Sequence, residues 1–159
     1  MTELSATTQI IQVVVFSLTD PATKRNEEYG VGVEQVQEIR TLETITRLPN
    51  APVHVRGVTN LRGKIISIID IKQRLGFPAS EIDSNSRILI AEIGGKQVGL
   101  LVDQVDQVMR ISTADIDLQS DSTGFTQYMK GIAKIQDRLI IILDLQKLLQ
   151  ELDNSNFGE

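Results

Sequence analysis

The feature that most constrains this chain is an approximate internal repeat. "GVTNLRGKIISIIDIKQRLG" (57–76) lies over "GIAKIQDRLIIILDLQKLLQ" (131–150) at an offset of 74. Gly57 meets Gly131, Lys64 meets Arg138, Asp70 meets Asp144 and Leu75 meets Leu149. Earlier, "YGVGVEQVQEI" (29–39) lies over "VGLLVDQVDQV" (98–108) at an offset of 69. Two blocks recur in the same order, so the chain reads as a duplication. Each half, of about 70 residues, carries about five short strands. A flat five-stranded sheet leaves two bare edges, and closing it into a small barrel removes them. Units this small are marginal alone, so the two are expected to pack on each other.

Composition agrees with a strand-rich core. Apolar residues make up 41% of the 159, aromatics only 4%, and there is no Trp. An aliphatic core of Val, Ile and Leu favours pleated, half-buried surfaces. The net charge of −5 disfavours a general nucleic-acid binder. No basic run accompanies an amphipathic helix, which disfavours membrane-surface binding. There is no cysteine, so disulfides, thiol catalysis and thiolate metal sites are out. The N-terminus lacks the basic and apolar regions of a signal peptide, and "IIQVVVFSL" is too short to span a bilayer. A soluble cytoplasmic protein is the expectation.

Along the chain, residues 1–8 read as a polar tail and 10–18 as a first strand. Residues 19–28, with Pro21, read as a hairpin loop, and "YGVGV" as the next strand. Val33, Val36 and Ile39 stand about one helical turn apart, which predicts one or two turns of helix before the strand resumes. Residues 55–70 predict a hairpin, and "IKQRLGF" a short helix that Gly76 ends. The polar stretch 78–86 is the expected boundary between halves. "RILIAEI" and "QVGLLV" form a hairpin around Gly94-Gly95. Val102, Val105 and Met109 repeat the helical spacing, and a strand is expected at 114–118. The closing hairpin and a last segment run to 152, with a second tail at 153–159. The subdomains are thus placed at roughly 15–80 and 85–145, with the terminal segments free to cross over. Asp70 and Asp144 each open the short helix after a hairpin and are expected to cap it.

The chemistry of a catalyst is missing. His54 is the only histidine, and it lies in an apolar strand. The acidic pairs Asp103/Asp106 and Asp115/Asp117 read as solvated faces or caps, with nothing nearby to complete a metal shell. "YGVGVE" lacks the third glycine of a dinucleotide fingerprint, and "GGK" lacks the rest of a P-loop. No Ser has a nucleophile-elbow context. A hydrolase would have to work with scattered carboxylates alone. An interaction protein remains, binding by apolar burial with a few charged orienters.

The residues "YGVGVEQVQEIR" and "RLPNAPVHVRGVTNLRGKIISIIDIKQRLG", with "QVGLLVDQV" and "GIAKIQDRLIIILDL", carry a resemblance. Over roughly residues 9–152 the chain resembles the CheW family of bacterial and archaeal chemotaxis coupling proteins. The resemblance implies two intertwined five-stranded SH3-like barrels with short helices. It implies a free-standing, non-catalytic adaptor, without metal or cofactor, that joins the cytoplasmic tips of methyl-accepting chemoreceptors to the regulatory domain of the histidine kinase CheA. Such an adaptor carries receptor control to autophosphorylation and helps build the signalling array on the inner face of the membrane. It is monomeric when free and enters no membrane itself. A paralogous scaffold of a pilus or developmental chemosensory pathway is the alternative.

Residue roles follow from the motif. Val36, Glu38 and Arg62 match the segment implicated in receptor coupling. Gly57 and the strand around Ile45 lie on the side associated with the kinase. Val31, Val33 and Val98 are placed by period and position in the groove for the receptor helix, with an ordinary core role as the competing reading. Gly63, Asp70, Gly131 and Asp144 belong to hairpins and caps. Arg62 is not demanded by its turn, because the second copy has Gln136 there and Asp137 for Gly63. Two readings stay open: an ion pair with Glu38, or a direct contact with a partner.

Overall fold

A computed structural model describes residues 8–42, 44–79, 81–118 and 127–154. The expected tails lie mostly outside these residues, although the last helix runs on to Asn154, past the expected start of the second tail at 153.

The chain opens with β1 (Ile10–Thr19) and β2 (Asn26–Gly32), an antiparallel hairpin. One 3-10 turn (Val33–Gln35) leads into β3 (Val36–Thr41). The first repeated hairpin is β4 (Val55–Leu61) with β5 (Lys64–Asp70), followed by α1 (Ile71–Arg74). Next come β6 (Arg87–Ile93), β7 (Lys96–Val102) and β8 (Gln104–Ser112). A 3-10 turn (Thr113–Asp115), β9 (Ile116–Asp117), β10 (Met129–Ile135), β11 (Arg138–Leu143) and α2 (Leu145–Asn154) complete the chain.

These strands form two sheets, ordered β8-β1-β2-β11-β10-β9 and β3-β6-β7-β5-β4. Each closes through the chain itself. The segment after β3 returns to bridge Thr46 to Val58 of β4, and β8 runs through its 3-10 turn into β9, which pairs with β10. Closure removes the open edges that a flat sheet would present. The middle barrel therefore spans β3 to β7. The flanking barrel is built from β1 and β2 with β8 to β11.

The repeat is visible strand for strand. Ile68 pairs in parallel with Gly99, and Ile142 pairs in parallel with Gly30. Both offsets appear in this one relationship. The first-half hairpin β4–β5 joins β7 from the second half, and the second-half hairpin β10–β11 joins β2 from the first. Each barrel is thus made from both repeats. The boundary expected at 78–86 does not divide them, because β6 and β7 follow it and still belong to the middle barrel. Pairing partners, not chain order, decide which strands share a core.

Among the described residues three apolar clusters hold the molecule. Leu61, Ile66, Ile68, Ile88, Ile90 and Leu101 fill the middle barrel. Val13, Val15, Ile111, Ala133, Ile140 and Ile142 fill the flanking one. The largest cluster, with Phe16, Tyr29, Val31, Ile69, Leu89, Leu100 and Leu148 among its members, takes residues from both barrels and seals the seam. Strands that bury both faces read as near-continuous apolar runs, as "VVVFSL" and "ILIA" do.

Two sequence readings need correction. Residues 104–112 form a strand, not a helix, and 33–39 contains a single 3-10 turn followed directly by strand. A β-bulge interrupts both stretches and imitates helical spacing, although Met109 pairs with Val13 and faces away from Val105. Val36 pairs with Ala91 but Glu38 with Ile90, leaving Gln37 extra. Val105 pairs with Phe16 but Gln107 with Val15, leaving Asp106 extra. A bulge shifts the strand's phase by one residue, so Val36 and Ile39, like Val105 and Val108, share a face at a spacing of three.

Candidate functional site

The β4–β5 hairpin turns at Arg62 and Gly63, with φ of 52° and 87°. A left-handed conformation at both central positions gives a turn whose twist matches that of its strands. Gly63 adopts it freely, and its amide is held by the Asn60 side chain at 2.8 Å. Gln136, the equivalent of Arg62, is also left-handed at 56°. The turn tolerates a non-glycine residue at this position in both copies, so the identity of Arg62 answers to something else.

That partner is Glu38. Arg62 donates from Nη1 to Oε2 at 2.6 Å and from Nη2 to Oε1 at 3.1 Å. Arg40, two residues along the strand on the same face, donates to Oε1 at 3.3 Å. The bulge at Gln37 makes this possible. It sets Glu38 opposite Ile90, whose side chain fills the middle barrel, and away from the seam-facing side of Val36. Glu38 thus meets the hairpin tip. The Arg62 hydrogen bond, foremost, with the charge of Arg62 and the Arg40 contacts, holds the Glu38 carboxyl below its ordinary range. Arg62 stays 67% exposed while bonded. The ion pair with Glu38 therefore forms: Arg62 pins β3 to the hairpin and still presents a face to solvent.

Val36 and Val98 flank Ala91 in one row across β3, β6 and β7. Both are half-buried, as is Val33, and all three pack against the seam cluster. They make an apolar strip where the barrels meet. Val31 does not join them. It has no exposed surface and belongs to the seam core, because β2 is an interior strand of its sheet, between β1 and β11, and its Val31 face packs in the seam cluster. Of the residues placed by position in the groove, Val33 and Val98 border the seam surface and Val31 lies beneath it.

Ile45 and Gly57 meet directly. Ile45 packs on the middle-barrel core, and its Cγ2 would stand 2.9 Å from a Cβ on Gly57. The Thr46 carbonyl lies against the same spot, and Gly57 has φ of 147°. Gly131 sits likewise under Ile116 and the Asp117 carbonyl. Asp70 accepts from the Lys72 amide at 3.1 Å and from Arg56 Nη1 at 3.1 Å, fully buried. Asp144 accepts from the Lys147 amide at 3.1 Å.

Sequence reasoning missed several polar contacts. Arg138 grips Glu28 through two bonds of 3.0 and 2.7 Å, with Asp106 at 3.9 Å. In the other barrel the equivalent places hold Gln97 and Gln37, which bond to each other at 2.5 Å, and Gln37 donates to Glu92 at the same distance. Asp103, read as solvated, is instead paired with the buried Lys72 at 2.9 Å. The signal in the sequence was substitution between repeats: Glu28 and Arg138 stand opposite Gln97 and Lys64. Repeat comparison marks such positions as different but cannot name their partners.

Among the described residues no cluster of His, Asp or Glu could hold a metal ion. Among the same residues no helix is long and apolar enough to cross a membrane.

The comparisons with known proteins fit this architecture. The sequence model of the CheW-like domain matches residues 12–153. The chain is 36% identical over 129 residues to a protein of Klebsiella aerogenes named chemotaxis protein CheW, covering 80% of this chain and 78% of that one. It is 36% identical over 120 residues to the chemotaxis protein CheW of Thermotoga maritima, covering 76% and 79%. The crystal structure of the scaffolding protein TtCheW from Thermoanaerobacter tengcongensis superimposes with a TM-score of 0.79 at 38% identity, over 89% of this chain and 94% of that chain.

Proposed function

The chain belongs to the CheW-like family of chemotaxis scaffold and coupling proteins, and on that premise we propose that it couples chemoreceptor cytoplasmic tips to the regulatory domain of the histidine kinase CheA. The family is one of scaffolds, not catalysts. The adaptor would pass receptor control to CheA autophosphorylation and sit at receptor arrays through its partners alone.

One observation carries the reading: the Arg62–Glu38 pair. It ties the hairpin to β3, whose Val36 borders the apolar seam strip, and it leaves most of Arg62 exposed. A helical receptor tip laid on Val33, Val36 and Val98 would bury apolar surface there, the usual source of helix-in-groove affinity. The guanidinium at the hairpin tip supplies an orienting charge. Ile45 and Gly57, where the closing segment crosses β4, are proposed to face the kinase.

The test is reconstitution. The protein is combined with a receptor tip and CheA, and receptor-dependent autophosphorylation is followed. Arg62→Ala is expected to weaken receptor control while the protein stays folded and still binds CheA. Unchanged control in the variant refutes the role of Arg62. Failure of the parent protein to bind a CheA regulatory domain refutes the adaptor reading itself.

A further inference from the structure

The chain passes between the barrels twice. It leaves the flanking barrel through the 3-10 turn Val33–Gln35 and returns at Asp103, the single residue between β7 and β8. The repeat makes these two crossings equivalent, yet they are built differently.

At Asp103 the carboxylate accepts from the Thr19 amide at 2.7 Å and pairs with Lys72 Nζ at 2.9 Å. Lys72 Nζ also donates to the Thr19 carbonyl at 2.7 Å. The Lys72 and Asp103 side chains are 4% and 15% exposed. Thr19 ends β1 of the flanking barrel, and Lys72 lies on α1 of the middle one. Each barrel thus grips the crossing residue, and the three groups form a closed ring. A buried charge pair with its hydrogen bonds satisfied is strongly directional, because any rotation leaves a charge unpaired in a poor solvent.

The other crossing has no such ring. Glu34 and Gln146 stand where the repeat places Asp103 and Lys72, and both are exposed. Gln35 there holds a buried side-chain oxygen without a hydrogen-bond partner. An unsatisfied buried acceptor favours any movement that finds it a donor. Val33 belongs to this crossing and Val36 follows it, so the apolar strip lies at the unbraced side.

We infer that Lys72 and Asp103 are positioning residues: with the Thr19 backbone they fix the angle between the barrels at one crossing and leave the crossing at Val33–Gln35 to yield when the strip is occupied. The second half of this statement rests on the receptor-docking reading above; the first half does not.

The absence of cysteine allows two spin labels to be placed at will. Ile65 and Leu139 are equivalent hairpin positions on the two barrels, 69% and 59% exposed. In the protein carrying Ile65→Cys and Leu139→Cys, the distance between labels is expected to be narrowly distributed. Adding Lys72→Met with Asp103→Asn removes the pair while the carboxamide still accepts from Thr19, and the distribution is expected to broaden. Asp103→Glu keeps the charge on a longer arm and is expected to shift the mean distance, so a readout survives if the double variant does not fold. An unchanged distribution in a folded double variant, or an unmoved mean in Asp103→Glu, overturns the inference. In reconstitution the folded double variant is expected to bind CheA and receptor tip separately as the parent does, yet lose receptor control. A parent that shows no control indicts the adaptor reading, and the label distances still decide the pivot.

Discussion

Gly57 and Gly131, 74 residues apart, hold equivalent places beneath the strands that close their barrels. A side chain at either would push the closing segment away. At Gly57 the obstacle is the Thr46 carbonyl and the backbone is in a region that side-chain-bearing residues rarely adopt, with φ of 147°. At Gly131 the nearest atom is the Ile116 Cγ2 at 2.7 Å, with the Asp117 carbonyl at 2.8 Å.

Gly57→Ala is therefore expected to cost more than Gly131→Ala. Strain of about 1–3 kcal/mol adds to overpacking of similar size at Gly57. Gly131→Ala is expected to carry the overpacking alone, about 1–3 kcal/mol. Denaturant midpoints of the two variants check the order, and a larger loss for Gly131→Ala would contradict it.

The Arg62–Glu38 pair makes a pH prediction. Glu38 is ionised more readily in the folded protein than in the unfolded chain, so folding binds fewer protons at this site. Its contribution is fully present above the ordinary value of 4.5 and is lost as pH falls through the lower folded value. Carboxyl NMR titration of Glu38 should show this depression. In Arg62→Ala the value is expected to rise, because the largest contact that holds it low is lost.

Asp106 should show the opposite sign. Desolvation, foremost, and then the neighbouring Glu28 raise its carboxyl above the ordinary 3.8, while Arg138 holds Glu28 low. A raised acid costs stability once pH exceeds the unfolded value, because the folded state resists ionising it. Asp106→Asn is expected to stabilise the protein by roughly a few tenths of a kcal/mol at neutral pH, the scale of a relieved cross-strand charge contact. The gain should vanish below the ordinary 3.8. Unfolding curves of parent and variant at both pH values decide it.

The two helix caps should differ in weight. Asp144→Ala loses a cap, worth about 0.5–2 kcal/mol. Asp70→Ala loses the same cap and, in addition, the buried bond from Arg56, a charge-assisted contact of about 1.5–3 kcal/mol. Thermal unfolding of the two variants measures the difference, and equal losses would mean that Arg56 finds full compensation in water.

Much of the site was legible in the sequence because it sits on local structure. Gly63 and Gly94-Gly95 mark turns whose left-handed backbone favours glycine, and both hairpins form where expected. Asp70 and Asp144 bond the amides just after them, an interaction within one turn of chain. The bulges at Gln37 and Asp106 were not legible. An extra residue is defined by the strand opposite, and the spacing of three that it leaves in Val36/Ile39 and Val105/Val108 matches a helix as well as a bulged strand. Val31 was misplaced for a related reason: period tells which face a residue lies on, not how many strands cover it.

The duplication, the aliphatic character of the cores, the hairpins and the caps were readable from residue order, because each depends on residue type or on neighbours a few positions away. Tertiary structure alone decided that the repeats exchange strands, that Arg62 reaches Glu38 across 24 residues and that Lys72 meets Asp103. Those contacts join segments brought together only when both barrels close over a shared seam, and no local pattern in Lys72 or Asp103 records which buried charge will answer the other.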